Sequence, residues 1–274
     1  MIIDGKTIQQ QIVKELLPRV QERSRKPMLG IVVVGDDPVS LRYTTMKQAC
    51  ASTLGVVVTV VRHEVTISQE AFLQEVSALC NTVDGIVVQL PLPKHIDQEK
   101  VLALIPWHKD VDVLSPQARE RYINGTLPIV PPVVGAIIEV LTRYAIPLEG
   151  KNVVLVGNGT LVGAPFSVWL KHNNYKFTHV FRDTPDREHI FSHADIIISG
   201  TGNQGSIAPE MIKSGAVLID AGTSEVAGVL VGDFKKECAS RAGLMTPVPG
   251  GIGPITIAVL FKNLLTLIDA SHES

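Results

Sequence analysis

The feature that most constrains this chain is the way short apolar runs, rich in Val and Ile, alternate with stretches of helical spacing. Residues 28–34, 56–61 and 86–90 are three such runs, and residues 152–156, 177–181, 195–199 and 216–220 are four more. The run 56–61 is β-branched almost throughout, as buried parallel strands are. Strands that alternate with helices in this way make parallel sheets. The two groups are separated by an irregular stretch, residues 106–125, and by Pro131-Pro132, which marks either a linker or the first turn of a helix. The chain is therefore expected to be α/β, with two α/β domains flanking a cleft and the C-terminal one a Rossmann-like doubly wound parallel sheet. Residues 1–127 with the C-terminal helix 255–274 are expected to form one domain, and residues 128–254 the other.

Helical spacing covers residues 7–25, where Ile8, Ile12 and Leu16 share a stripe and Pro18 bends or interrupts it. It recurs over residues 38–54, 66–79, 133–144, 164–171 and 255–268. Asp37 can cap the second of these helices, Pro38 suits its first turn, and Gly55 stops it. The last is apolar and expected to pack back on the first domain, with a frayed tail over residues 269–274.

Composition narrows the partners. Hydrophobic residues make up 45% of the 274 and charged residues 19%, a balance that fits a globular core and excludes a disordered chain. A net charge of -2 gives no electrostatic reason to expect nucleic acid or an anionic membrane surface. The apolar runs look strand-sized, short of the roughly 20 residues of a membrane span. The start, Met1-Ile2-Ile3-Asp4-Gly5-Lys6, lacks the plan of a signal peptide, so the expected setting is cytoplasmic. Cys50, Cys80 and Cys238 are too few and too scattered for a disulfide framework or a zinc knot. The eight histidines show no metal-ligand spacing, and no metal is expected.

Four places carry chemistry. On the helix after the first strand, Ser40, Tyr43 and Lys47 fall on one face, and a lysine there is useful for proton transfer if burial brings its pKa down. The same spacing also fits a solvated helix face. Gln89 sits near the end of an otherwise apolar strand, followed by Leu90 and Pro91. It either faces a ligand at the carboxyl end of the sheet or is an edge residue that reaches water. In Lys109-Asp110-Val111-Asp112 the bland reading, surface-turn chemistry, leads. The fourth place is Gly157-Asn158-Gly159-Thr160-Leu161-Val162-Gly163, a glycine-rich turn between a strand and a helix start, suited to a pyrophosphate on the helix N-terminus. About 20 residues on, Asp183 could accept from a ribose hydroxyl and Arg182 could pair with a 2′-phosphate, two opposed readings between which the sequence does not choose. Gly200-Thr201-Gly202 and Ala221-Gly222-Thr223 follow two later strands and let a ligand approach the backbone closely. The Pro- and Gly-rich segment 246–254 is expected to be a loop lining the cleft, where a cis X-Pro bond is allowed.

Ser40-x-x-Tyr43-x-x-x-Lys47, Val88-Gln89-Leu90-Pro91-Leu92-Pro93, Lys109-Asp110-Val111-Asp112 and Thr246-Pro247-Val248-Pro249-Gly250-Gly251-Ile252-Gly253-Pro254-Ile255-Thr256 occur in this order. Together, over nearly the whole chain, they resemble the bifunctional methylenetetrahydrofolate dehydrogenase/methenyltetrahydrofolate cyclohydrolase family. The resemblance implies oxidation of 5,10-methylenetetrahydrofolate with NADP or NAD, then hydrolysis of the methenyl product to 10-formyltetrahydrofolate. It makes Lys47 the catalytic lysine, which handles the proton and helps position the one-carbon bridge, with Gln89 as its hydrogen-bonding partner. It makes Tyr43 the ring that stacks on the aminobenzoyl group and Asp112 the carboxylate on the pterin donors. Leu90, Pro91, Pro249, Gly250, Gly251 and Pro254 would complete the folate site. Gly157, Asn158, Gly159, Leu161, Val162, Gly163, Arg182, Asp183, Thr201, Gly202 and Thr223 would hold the cofactor. A homodimer through the cofactor domain is implied too.

The chain also departs from the family. Asn158-Gly159 stands where Arg-Ser is usual, Val113 where Gly is usual, and Val130-Pro131-Pro132-Val133 where Pro-Cys-Thr-Pro is usual. With the lysine set intact and the cofactor turn altered, a cyclohydrolase with weak or lost dehydrogenase activity is one alternative. A nicotinamide-dependent dehydrogenase of a small acid is another, and a non-catalytic folate- or nucleotide-binding protein a third.

Overall fold

The structure, a computed structural model, describes residues 1–226 and 228–272. It divides into two compact units: residues 10–132 with 257–274, called here the Lys47 unit, and residues 1–9 with 133–256, the glycine-turn unit.

Helix α1 (Gly5–Gln21) keeps Pro18 inside its last turn and continues past it. Strand β1 (Met28–Val34) then runs into α2 (Pro38–Leu54), β2 (Val57–His63), α3 (Gln69–Cys80) and β3 (Gly85–Val88). The three strands pair in parallel in the order β2-β1-β3. Here β1 and β3 are buried on both faces, whereas β2 is half-exposed. The expectation of a fully buried strand at residues 56–61 is thus corrected. Its β-branched residues suit any pleated strand, and what covers the strand decides its burial: β3, at the other edge, is bridged to Asp110 and buried in the core, whereas β2 is not. Gly55 at φ +80 ends α2 with its N–H on the carbonyls of Ala51 and Ser52.

The stretch 106–125, expected to be irregular, holds structure. After α4 (Gln98–Ala103), a single 3-10 turn covers Trp107–Lys109, and α5 (Pro116–Ile123) follows with Ser115 as its cap and Pro116 in its first turn. Its polar composition hides it, since Pro116 and the charged residues after it resemble loop chemistry. Phe72, Val76, Ile86, Val101, Leu102 and Ile105 form the center of this unit's core. Burying each such side chain contributes roughly 1.5–3 kcal/mol, which is what can offset the cost of the polar groups described below.

In the glycine-turn unit, α6 (Pro132–Arg143) leads into β4 (Val153–Val156), α7 (Gly163–His172), β5 (Thr178–Val180), α8 (Arg187–His193), β6 (Ile196–Ser199) and β7 (Val217–Asp220). A two-stranded hairpin, β8 (Ser224–Val226) and β9 (Val229–Val231), precedes β10 (Leu244–Met245). The main sheet is parallel throughout, in the order β10-β7-β6-β4-β5. The strand order reverses at β4, with β5 on one side of it and β6, β7 and β10 on the other, as in a doubly wound fold.

The first nine residues belong to this unit, not with residues 10–127 as the expected boundary had it. The backbone explains the difference: Ile3 N–H donates to the Met245 carbonyl, Met245 N–H to that of Met1, and Gly5 N–H to that of Gly250.

Helix α9 (Ile252–His272) is longer than expected, and residues 269–272 are helical; residues 273 and 274 of the expected frayed tail lie outside the described residues. By length and composition α9 could cross a membrane, contrary to the reading that no run reaches such a length. It is 67% buried over that span, as a core helix is.

Candidate active site

In the Lys47 unit the site grows from the junction of β1 and α2. Gly35 turns the chain at φ +81, and the Asp37 carboxylate accepts the Ser40 N–H at 2.8 Å, fixing the start of the helix. One stripe of α2 is buried: Ser40, Thr44, Lys47, Cys50, Ala51 and Leu54. Lys47 is only 7% exposed, which removes the solvated-face alternative. Tyr43 lies half-buried beside the stripe. Thr44, which spacing arguments passed over, is the residue inside it, and its hydroxyl donates to the Ser40 carbonyl at 2.8 Å.

Lys47 Nζ donates to Gln89 Oε1 at 2.9 Å. Gln89 Nε2 donates in turn to the Leu90 carbonyl at 3.2 Å, which also accepts from Ser40 Oγ at 3.2 Å. The Gln89 N–H continues the sheet by donating to the Val32 carbonyl. Gln89 is thus a member of a network and not an edge residue directed at water. The Leu90–Pro91 bond is cis, and Pro91 is exposed at the end of the strand.

The reading of Lys109-Asp110-Val111-Asp112 as surface-turn chemistry is also corrected. Asp110 is 1% exposed and bridges to Ile86 of β3, and its carboxylate accepts the Ser115 N–H at 2.6 Å. The Val111 carbonyl accepts from Asn263 of α9, and Lys109 Nζ donates to the Cys80 carbonyl. The buried Val111 carbonyl is satisfied in this way. Val113, where the family usually has Gly, is buried at φ +59, a conformation that a β-branched residue adopts only when its surroundings force it.

Burial pushes the Lys47 pKa down, and the charge of Asp112 opposes that shift. Burial pushes the Asp112 carboxyl up, against the pull of Lys47. Asp110 rises to about 6, mainly by burial, although the Ser115 N–H favours its anion. A lysine removed from water and hydrogen-bonded to a neutral amide gives up its proton more readily than a solvated lysine does, although the facing carboxylate limits that shift.

In the glycine-turn unit, the turn after β4 is a close-packed cradle. A Cβ on Gly163 would collide with the Gly157 carbonyl, and one on Gly200 with Val162. Gly157 is at φ +88, and a Cβ there would lie 2.7 Å from Thr201 Cγ2. His179 Nε2 is 2.7 Å from the Gly157 carbonyl, tying β5 to the turn. Asn158, Gly159 and Leu161 are exposed, Val162 is buried as the residue that starts α7, and Gly163 opens the helix. Arg182 and Asp183 are both exposed on the turn after β5, which the Thr184 hydroxyl closes by accepting the Phe181 N–H. Thr201, Gly202 and Thr223 are exposed after β6 and β7. This turn, with the N–H groups of a helix start behind it, fits a nucleotide pyrophosphate. Pro249 and Gly250 are exposed, with Gly250 at φ +100, while Gly251 is buried and Pro254 lies in the first turn of α9. Val248–Pro249 is the second cis bond.

Sequence reasoning missed two buried carboxylates here. Asp220 accepts the N–H groups of Gly222, Asp233 and Phe234 at 3.1 to 3.2 Å. Asp233, fully buried, accepts from Ser199 Oγ at 2.6 Å and from the N–H groups of Thr201 at 2.7 Å and Asn203 at 2.9 Å. A charged residue ending the apolar run 216–220, and another between Gly232 and Phe234, were the available signals.

The comparisons with known proteins agree with this geometry. The family model described as the tetrahydrofolate dehydrogenase/cyclohydrolase catalytic domain matches residues 3–112, and that of the NAD(P)-binding domain matches residues 131–272. The bifunctional protein FolD of Halothermothrix orenii is 40% identical over 272 residues, 96% of this chain and 95% of that protein. The Trypanosoma brucei N5,N10-methylenetetrahydrofolate dehydrogenase-cyclohydrolase, solved with NADP and an inhibitor, is 35% identical, with a TM-score of 0.92 over 100% of this chain and 99% of the other. The bifunctional FolD enzyme of Campylobacter jejuni is 30% identical, with a TM-score of 0.92 over 99% of each chain. With a buried lysine on a glutamine in one unit, a glycine-rich cradle in the other and both family domains matched, this chain belongs to the tetrahydrofolate dehydrogenase/cyclohydrolase family.

Proposed function

We propose that the chain oxidises 5,10-methylenetetrahydrofolate with a nicotinamide cofactor and hydrolyses the resulting methenyl compound to 10-formyltetrahydrofolate, with Lys47 as the proton-transfer group. One observation carries the reading: Lys47 Nζ is buried and donates to Gln89 Oε1 at 2.9 Å. In the hydrolysis, water adds to the cationic one-carbon bridge as Lys47 takes a proton from it. The adduct hydroxyl then gives up its proton as it becomes the formyl carbonyl, the C–N5 bond breaks, N5 takes a proton and the formyl group stays on N10; the overall reaction releases one proton. Burial and the positive charge of the substrate both favour the neutral amine needed for the first step, and Asp112 limits that bias. Gln89 keeps the amine aimed, because its own amide is fixed on the Leu90 carbonyl. Tyr43 supplies the ring for the aminobenzoyl group and Asp112 an acceptor for the pterin donors. Leu90, Pro91, Pro249, Gly250, Gly251 and Pro254 are the remaining folate contacts of this proposal.

The cofactor supplies the hydride acceptor. The residues that would hold it are Gly157, Asn158, Gly159, Leu161, Val162, Gly163, Thr201, Gly202 and Thr223, with Arg182 and Asp183 at the adenosine end. Replacing Lys47 by Met tests the central role: the methenyl absorbance should persist in the folded variant, and a normal rate of decay would refute it. Arg182→Ala and Asp183→Ala address cofactor preference. A raised KM for NADP alone in the first variant points to NADP, and a raised KM for NAD alone in the second points to NAD. A dehydrogenase rate near zero with both cofactors, beside an intact cyclohydrolase, would favour the reading motivated by Asn158-Gly159. A homodimer in a cytoplasmic setting belongs to the same proposal, and sedimentation velocity tests the dimer.

A further inference from the structure

In the glycine-turn unit, three loops follow the carboxyl ends of β4, β6 and β7, and no folate or nucleotide chemistry accounts for the buried acid among them. Asp233 is 0% exposed, and its carboxylate accepts three hydrogen bonds, all from the segment 199–203: the Ser199 hydroxyl, the Thr201 N–H and the Asn203 N–H. That segment rests on the glycine-rich turn at two points. Thr201 fills the space that a side chain at Gly157 would need, and Gly200 lies against Val162. Asp233 is itself immobilised, since its N–H donates to Asp220 at the end of β7 and its carbonyl accepts from Ile207. A carboxylate oxygen has no donor to offer, so three N–H or O–H groups converging on it define one loop conformation and disfavour others.

We infer that Asp233 is a positioning residue for the dehydrogenase reaction, whose carboxylate holds segment 199–203 in the shape that presents Thr201 and Gly202 to the nicotinamide cofactor. The inference rests on the proposal that these turns bind that cofactor. Asp220 extends the same device: it holds Gly222, Asp233 and Phe234, so the loops after β6 and β7 are set by one relay. Burial raises the Asp220 carboxyl to about 7, and the charge of Asp233 adds to the rise, despite its three N–H partners.

Asp233→Asn keeps the size of the side chain but turns an acceptor into an NH₂ group facing N–H and O–H donors. Binding of NADPH and NADH, titrated by fluorescence on folded protein, should weaken by about tenfold or more. A merely structural Asp233 would lower the melting temperature of the cofactor-free protein and leave the Kd of the folded protein within twofold, which would overturn the inference. If Asp233→Asn does not fold, Ser199→Ala removes one donor and leaves the two backbone bonds. A rise of about two- to fivefold in cofactor Kd supports the inference there, and an unchanged Kd overturns it. Thr201→Trp separates the premise from the inference. Cofactor binding lost in Thr201→Trp but kept in Asp233→Asn leaves the cofactor site standing and overturns the role of Asp233. Binding unaffected by Thr201→Trp overturns the site and the inference with it.

Discussion

Lys47 with Asp112 in one unit and Asp220 with Asp233 in the other are both pairs of ionisable groups drawn out of bulk water, but they are held by opposite means. Lys47 has one amide oxygen and the field of a carboxylate, so few bonds fix its protonation state. Asp220 and Asp233 each accept three N–H or O–H groups, all of them neutral donors. The first arrangement leaves a proton free to move, and the second commits three of the roughly four lone-pair sites of each carboxylate to geometry. The contrast separates a group that reacts from groups that shape.

The largest effect that could break this contrast is kinetic. Lys47→Met should reduce methenyl hydrolysis by roughly 10²- to 10⁴-fold in the absorbance assay, the range of a positioned general base. A loss of less than tenfold would place Lys47 among the shaping groups.

A second test uses Asp110, which like Asp220 is a buried acid whose carboxylate accepts a backbone N–H. The folded state holds its proton up to about pH 6, against 3.8 as the ordinary value, so between those values the folded state binds more protons than the unfolded chain. Stability should therefore fall as pH rises through that window, by roughly 3 kcal/mol in all. Asp110→Asn, which keeps an acceptor for the Ser115 N–H, should flatten that slope in denaturant melts taken from pH 4 to 7. An unchanged slope would remove Asp110 as its source.

Gly222→Ala comes next. A Cβ at Gly222 would overlap the Asp233 carboxylate, so this variant should lose about 1–3 kcal/mol of stability, seen as a lower melting temperature. The smallest effect is expected at Thr44→Val. It removes one hydroxyl from the face that carries Lys47, and about 1 kcal/mol of stability with it, while the hydrolysis rate stays within a factor of two. A large rate loss there would mean that the reactive face is broader than Lys47 and Gln89.

Much of this molecule is legible in its sequence, because strands such as residues 29–34 and 153–156 announce themselves by composition and the caps Asp37 and Gly55 by residue type. What escaped depends on context. The edge position of β2 is a property of strand order, not of Val57 or Val58. Asp110 looks like a turn residue until Ile86 and Ser115 are seen beside it. Thr44 is a weaker signal than Tyr43, yet it is the one buried between Ser40 and Lys47, because helical geometry places i+4 on the stripe. The roles of Asp220 and Asp233 could not be read, since their partners lie 13 to 34 residues away or are backbone groups, which every residue but proline supplies alike.

The hairpin β8–β9 leaves the sheet between Gly222 and Gly232, and each of these glycines makes room for the carboxylate on the far side of the hairpin, Asp233 for Gly222 and Asp220 for Gly232. The base is therefore latched by two reciprocal fits, to which Ser224, at the start of the arm, adds a hydrogen bond from its hydroxyl to the Gly202 carbonyl. Lengthening, shortening or tagging the arm near Gly228 should be mechanically silent at the latch, which makes that tip a natural place to attach a probe to this enzyme.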